Sequence, residues 1–208
     1  TGDTRWGTGA AFFDYDNDGD LDLFVANYVD VDLEIIHVCR QGGIRSYCEP
    51  TAYEAVDDVL YRNDNGVFAD ATVETGLDLK GRSLGVALAD YDNDGDTDLY
   101  VANDGTMNFL YRNEGGTFSE AGLMAGGRYN KDGAAEAGMG TDFGDYDNDG
   151  DPDLFVTNFA FETNTLYRLA DDRFVDVTAR QGLRDPSLLP LGFGARFLDY
   201  ANDAVLDL

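Results

Sequence analysis

Asp14-Tyr15-Asp16-Asn17-Asp18-Gly19-Asp20-Leu21-Asp22 returns as Asp90-Tyr91-Asp92-Asn93-Asp94-Gly95-Asp96-Thr97-Asp98 and as Asp145-Tyr146-Asp147-Asn148-Asp149-Gly150-Asp151-Pro152-Asp153. An altered copy, Asp199-Tyr200-Ala201-Asn202-Asp203-Ala204-Val205-Leu206-Asp207, follows near the end of the chain. The first aspartates, at 14, 90, 145 and 199, lie 76, 55 and 54 residues apart. The basic period is therefore close to 54, with an insertion in the first unit. The match extends past the acids: Gly9, Gly85, Gly140 and Gly194 stand five residues before each copy, and Leu23, Leu99, Leu154 and Leu208 follow each last Asp.

Each unit reads as four short strands. One leads into the acidic stretch (Gly9 to Phe13, Gly85 to Ala89) and one leaves it (Leu21 to Ala26, Asp98 to Ala102, Asp153 to Thr157). A third is Val59-Leu-Tyr-Arg62, Phe109-Leu-Tyr-Arg112 and Thr165-Leu-Tyr-Arg168. The fourth opens on Phe68, Phe118 or Phe174 and is expected to end near Gly76-Leu77, Gly122-Leu123 or Gly182-Leu183. Short β-rich runs separated by Asn, Asp and Gly are strand and hairpin signals, and no apolar stripe at helical spacing is sustained between them. Four strands in a unit of this length is the arithmetic of a propeller blade. The expected fold is an all-β propeller of four-stranded blades occupying residues 1–208. At this period the chain supplies fewer than four complete units, so it reads either as an open piece of a larger ring or as one that closes unusually small. Leu208, falling where a fourth unit should begin its second strand, favours the piece of a larger ring, of about seven blades.

The charge supports sites rather than a solvated acidic surface. Asp and Glu number 41 against 14 Lys and Arg, a net −27. The segments 14–22, 90–98, 145–153 and 199–207 hold 18 of those acids, and the other 23 outnumber the bases by only 9. A field of this sign repels nucleic acid and anionic lipid and attracts cations or basic partners. No apolar run approaches the ~18 residues of a membrane span.

Aspartates at the first, third and fifth positions put three carboxylates inside a tight curl, and Gly at the sixth permits its sharp turn. The seventh position can offer a backbone carbonyl, and the ninth returns a carboxylate. Calcium takes six to eight hard oxygens at flexible geometry, whereas magnesium keeps its water and soft metals want Cys or His. The candidate calcium ligands are Asp14, Asp16, Asp18, Asp20 and Asp22; Asp90, Asp92, Asp94, Asp96 and Asp98; and Asp145, Asp147, Asp149, Asp151 and Asp153. The bland alternative is an acidic hairpin turn. Like charges this close repel by about 1 kcal/mol per pair at ~4 Å even in water, a cost that a cation removes. An EF-hand would need Glu at the twelfth position, where Val25, Val101 and Val156 stand. The fourth copy, with Asp199, Asp203 and Asp207 but Ala201 and Ala204 in place of a ligand and the turn glycine, is expected to bind weakly or not at all. About three calcium sites are expected.

These residues resemble the FG-GAP/VCBS repeat family, whose blades build the propellers of integrin α-subunits with calcium in the hairpin between their first two strands. The Leu-Tyr-Arg-Asn spacing, together with Asn27-Tyr28 and the Cys39-Arg-Gln-Gly-Gly to Tyr47-Cys48 segment, is similar to the cartilage acidic protein branch, which often carries an ASPIC/UnbV domain downstream. The resemblance implies secretion, surface display or a periplasmic location, and an adhesive role with an extracellular protein or glycan as partner.

The first unit runs long at about residues 28–58, holding Cys39, Cys48, His37, Arg40, Arg45, Tyr47 and Tyr53. A local disulfide or two unrelated thiols fit the cysteines; the even count favours the disulfide. The insertion reads either as a binding loop or as a tolerated excursion, and the residues leave both open. A second excursion, 125–137, is Gly-rich and expected to be flexible. Gly81-Arg-Ser83-Leu-Gly85 matches a hydrolase nucleophile pattern, but that pattern needs a strand–turn–helix setting and a triad histidine, and His37 is the sole histidine. The expected function is a non-enzymatic calcium-binding scaffold; the alternative is the propeller portion of a secreted enzyme acting on polysaccharide or lipid.

Overall fold

The structure, a computed structural model, describes residues 3–32, 34, 35 and 37–208. β1 (Gly7–Phe13) and β2 (Asp22–Asn27) form an antiparallel hairpin around the first acidic loop, in register from Phe13↔Asp22 to Gly9↔Ala26, with a bulge before Gly7↔Asn27. The insertion follows as a small ribbon, β3 (Cys39–Gln41) and β4 (Ile44–Ser46), then a 3-10 turn at Pro50–Ala52 and β5 (Val56–Asp57). β6 (Val59–Asp64) and β7 (Val67–Asp70) complete the first sheet in the order β1-β2-β6-β7. A single helical turn, α1 (Thr72–Thr75), and β8 (Lys80–Gly81), paired with β5, lead out of it.

The second sheet comprises β9 (Ser83–Ala89), β10 (Asp98–Asn103), β11 (Phe109–Asn113) and β12 (Phe118–Glu120). α2 (Gly122–Ala125) precedes the third, which comprises β13 (Thr141–Gly144), β14 (Asp153–Val156), β15 (Thr165–Ala170) and β16 (Arg173–Asp176). α3 (Arg184–Ser187) follows, and the fourth unit is held by the bridge Leu198↔Asp207. Three four-stranded antiparallel blades thus stand side by side, as the repeats predict, in an arc that does not close into a barrel.

The core lies between blades. Phe13, Tyr15, Phe24, Leu60 and Leu77 of the first blade meet Leu99, Val101, Phe109, Tyr111 and Phe118 of the second. Tyr91, Tyr100 and Leu110 of the second meet Leu154, Val156, Tyr167 and Phe174 of the third. Each large apolar side chain fully removed from water contributes about 1.5–3 kcal/mol. The middle blade is covered on both faces, so all six residues of β10 are buried, while all four of β7 are exposed. β9 packs between β1 and β13, and the glycines that precede each loop permit that approach. A side-chain carbon on Gly9 would lie 3.0 Å from the Leu84 carbonyl oxygen, and one on Gly85 would lie 2.3 Å from that of Met139.

The fourth strands end earlier than expected. They stop at Asp70, Glu120 and Asp176, because the chain turns into a helical turn after the first two and into hydrogen-bonded turns after the third. The equivalent of Gly76 and Gly182 is Gly126, not Gly122: Gly76, Gly126 and Gly182 have φ of 89°, 91° and 76°. The 125–137 excursion carries specific contacts. Glu136 accepts from Asn130 and Asn158 side-chain amides at 3.0 Å each, and Glu162 accepts from the Ala137 N–H at 2.8 Å.

Candidate metal centre

The three loops share one hydrogen-bond scheme. The first aspartate accepts from the backbone N–H groups four and five residues on: Asp14 from Asp18 and Gly19 (3.1 and 2.9 Å), Asp90 from Asp94 and Gly95 (3.1 and 2.9 Å), Asp145 from Asp149 and Gly150 (3.0 and 2.9 Å). The fifth accepts from the seventh N–H, as Asp18 does from Asp20 at 2.8 Å. Asn17, Asn93 and Asn148 take the left-handed conformation (φ 59°, 57°, 58°) that Asn tolerates, and Gly19, Gly95 and Gly150 follow at 93°, 97° and 97°. The curl is thus fixed by its own backbone donors.

The ninth aspartates are fully buried and staple each loop to its blade. Asp22, Asp98 and Asp153 each accept from the backbone N–H of the residue after Arg62, Arg112 or Arg168, all at 2.8 Å. Their other oxygens accept from Tyr15, Tyr91 and Tyr146 N–H at 3.1, 2.9 and 3.2 Å. Burial pushes the carboxyl of Asp98 up to about 7 and that of Asp153 to about 6, and raises Asp22. The tyrosines pack on the next blade: Tyr15 lies 6.1 Å from Phe118 and Tyr91 lies 5.7 Å from Phe174, ring centre to ring centre.

The seventh aspartates face their surroundings. Asp20 accepts from Asn65 N–H at 2.9 Å, and Asp96 accepts from Gly115 N–H at 2.6 Å and from the Asn17 amide of the preceding loop at 2.7 Å. That inter-loop bridge was not legible in the sequence, although the recurrent Asn marked its donor.

Carboxylate oxygens converge within 4.8 Å in three groups: Asp14, Asp16 and Asp18; Asp90, Asp92 and Asp94; Asp145, Asp147 and Asp153. Asp20, Asp22, Asp96, Asp98, Asp149 and Asp151 lie outside these groups. In the first two loops the third position is the least satisfied, since Asp16 Oδ1 and Asp92 Oδ1 are buried without a hydrogen-bond partner. Burial, then repulsion from Asp18 or Asp94, raises the Asp16 and Asp92 carboxyls above the ordinary range. Hard, crowded, under-bonded oxygens are what a divalent cation engages, so these triads could hold a metal ion. Arginines partly answer the charge in two loops. Arg112 Nε stands 2.6 Å from Asp92, and Arg168 Nε stands 2.6 Å from Asp147 with a second contact to Asp149. Arg62 turns instead to Asp64 and Glu74, at 3.2 and 2.9 Å.

The fourth loop keeps the scheme without the ligands. Asp199 accepts from Asp203 and Ala204 N–H at 3.0 and 2.9 Å, and Ala204 adopts φ 65° where the others have Gly. No convergent acid group forms there among the described residues. Elsewhere, Cys39 and Cys48 form a disulfide, with Cα atoms 5.1 Å apart. Ser83 opens β9, is fully buried and bonds Asp58 and Asn103 at 2.8 and 3.1 Å, so it has no nucleophile's exposure.

A comparison with curated proteins finds no match for this chain. The FG-GAP-like repeat family matches residues 51–101 and 90–156. The first window runs from just ahead of the third strand of the first blade into the second blade's loop-bearing hairpin, and the second from the second acidic loop through the third blade's hairpin. Together these windows span half of the 208 residues, and the chain belongs to the FG-GAP-like repeat family.

Proposed function

We propose that this chain is a calcium-stabilised β-propeller scaffold that works outside the cytoplasm, secreted, on a cell surface or in a periplasm, in adhesion to or interaction with an extracellular protein or glycan. The observation that carries the reading is the convergence of three carboxylates in each intact loop, with Asp16 Oδ1 and Asp92 Oδ1 buried and unpartnered. Every donor is a hard oxygen, which suits calcium and disfavours soft metals. When bound, the cation supplies the countercharge for each triad. The chain's own part is to hold the acids in place: the first aspartate fixes the curl and the ninth ties it to the third strand of the blade. Binding to the folded state alone would add about 2.7 kcal/mol per site at a hundredfold excess over the dissociation constant. The disulfide agrees with an oxidising compartment, and the net −27 argues against nucleic acid as partner. Among the described residues no helix is long and apolar enough to cross a membrane. The similarity to the cartilage acidic protein branch belongs to the same reading.

Thermal melting in calcium, in magnesium and in chelator tests the proposal. The expected result is a higher melting temperature with calcium alone, abolished when Asp16, Asp92 and Asp147 become Ala. Identical melting of a folded sample in calcium and in chelator would falsify it.

A second reading, the propeller portion of a secreted enzyme acting on polysaccharide or lipid, draws on a cleft of about 480 Å3 on the far side of the third blade. Glu136, Glu162 and Asp176 line it, and the Glu136 carboxyl is raised by burial and by those two neighbours. Phe161, exposed and held at φ 73°, stands in its lining. Hydrolysis of a polysaccharide or lipid ester that is lost in Glu136→Gln would favour this reading.

A further inference from the structure

From Ile35 to Cys48 the chain carries two arginines, its sole histidine and no acid, in a molecule whose acids otherwise outnumber its bases threefold. This segment builds the β3–β4 ribbon, and the register sets Arg40 directly opposite Arg45. Like charges opposed across two strands destabilise a ribbon. Arg45 forms no ion pair among the described residues, and the ribbon around it is exposed, Tyr47 completely. Beside it lies a cleft of about 440 Å3, lined by His37, Arg45, Ser46, Tyr47, Cys48 and Tyr53. His37 and Tyr53 meet edge to face with ring centres 4.9 Å apart, which sets part of the lining.

The cleft is held in shape. The Cys39–Cys48 disulfide closes the ribbon. Arg82, arriving from the second blade, donates to the carbonyls of Pro50 and Tyr53 at 3.1 and 2.9 Å. The bridge Val29↔Ala55 pins the two ends of the insertion together. A concave, aromatic-lined site with one free guanidinium in a fixed frame suits a ring-shaped anion: the rings offer apolar faces and the guanidinium a two-pronged grip on an oxyanion.

We infer that this cleft binds an acidic saccharide, with a sugar ring against Tyr47 and Tyr53 and its carboxylate or sulfate on Arg45. The inference does not rest on the metal reading, since no loop aspartate lines the cleft.

Calorimetric titration of the full chain in calcium buffer at physiological salt tests it. The probes are tri-galacturonate for carboxylate, a sulfated disaccharide for sulfate, maltotriose as the neutral control and hexaglutamate as an acidic peptide. The expected result is binding of one or both acidic sugars and not of maltotriose. Arg45→Gln and Tyr47→Ala should each weaken it about tenfold, the scale of a lost charge-assisted contact, with an unchanged melting temperature. Which acidic sugar binds assigns the anion. No binding of either acidic sugar, binding unaffected by both variants, equal binding of maltotriose, or binding of hexaglutamate alone overturns the inference.

Discussion

Gly76 lies so close to Phe118 of the next blade that a side-chain carbon on it would stand 2.5 Å from the Phe118 carbonyl oxygen; Gly126 meets Phe174 in the same way, also at 2.5 Å. Each glycine ends the helical turn after a fourth strand with φ near +90°, so the position demands both a left-handed backbone and the absence of Cβ. Gly76→Ala is therefore expected to destabilise the fold by about 2 kcal/mol or more. Gly182→Ala should cost only about 1 kcal/mol, because that glycine shares the positive φ but has nothing within 4 Å. Urea midpoints at a common slope would check this. Equal losses at the two positions would show that blade contact adds nothing.

Asp58 is expected to make stability fall as pH rises. It is buried, accepting from Asn27 N–H and Ser83 Oγ at 2.8 Å each, and burial pushes its carboxyl up to about 7. A carboxyl whose folded value exceeds its unfolded value binds the proton more tightly in the native state. Its contribution is complete below about pH 4 and is lost as pH rises through about 7. The other blades place Asn108 and Asn164 at this point, accepting from Asn103 and Asn158 N–H at 2.8 and 3.0 Å. Asp58→Asn can keep both contacts by donating to Ser83 Oγ, whose hydroxyl also reaches Asn103. It should stabilise the protein at pH 8 by a few kcal/mol, on the scale of about 1.4 kcal/mol per pKa unit. Chemical denaturation between pH 4 and 8 reads this directly, and a parallel pH profile for the variant would refute it.

The strands and loops were legible in the sequence because a repeat repeats its physics: one pattern of Asp, Asn and Gly dictates one curl wherever it occurs. Asp14 and Asp18 could be placed from spacing alone, since both bond their own loop. What spacing could not supply were contacts between units. The bridge from Asn17 to Asp96, the seat of Tyr15 on Phe118 and the approach of Gly76 to the next blade depend on how two sheets stack. The fourth strand was drawn too long for a related reason. Thr72 and Val73 are β-branched strand formers, but the chain folds into α1 so that Thr72 can accept from the Leu60 N–H at 3.0 Å and Leu77 can enter the core.

Arg168 is expected to compete with a cation. Its guanidinium holds Asp147 and Asp149, whereas Arg62 of the first blade is turned away to Asp64 and Glu74. Exposed ion pairs are weak, so Arg168→Gln should raise the calcium affinity of the third loop by only about three- to fivefold. Arg62→Gln should leave the first loop unchanged and so controls for net charge. Calcium titrations in backgrounds that keep one loop intact would separate the two. An equal gain at both loops would trace the effect to overall charge.

The fourth loop offers the strictest test of what makes a site. Its backbone already follows the scheme: Asp199 accepts from Asp203 and Ala204, Asp207 accepts from Tyr200 N–H at 3.0 Å, and Asn202 sits at φ 55°. What it lacks is the carboxylates of the third and seventh positions, where Ala201 and Val205 stand, and an unstrained turn, since Ala204 holds a left-handed φ of 65°. Such a conformation costs an L-residue about 1 kcal/mol. The double variant Ala201→Asp with Ala204→Gly should therefore bind one more calcium ion per chain than the parent, read by equilibrium dialysis with metal analysis. Two differences from the intact loops remain: Val205 stands where they have Asp20, Asp96 and Asp151, and Tyr200 is 85% exposed, against 4% for Tyr15 and Tyr91. If the variant gains no ion, the curl and its three restored carboxylates are insufficient, and adding Val205→Asp separates the seventh carboxylate from the packing of that tyrosine as the missing part of the site.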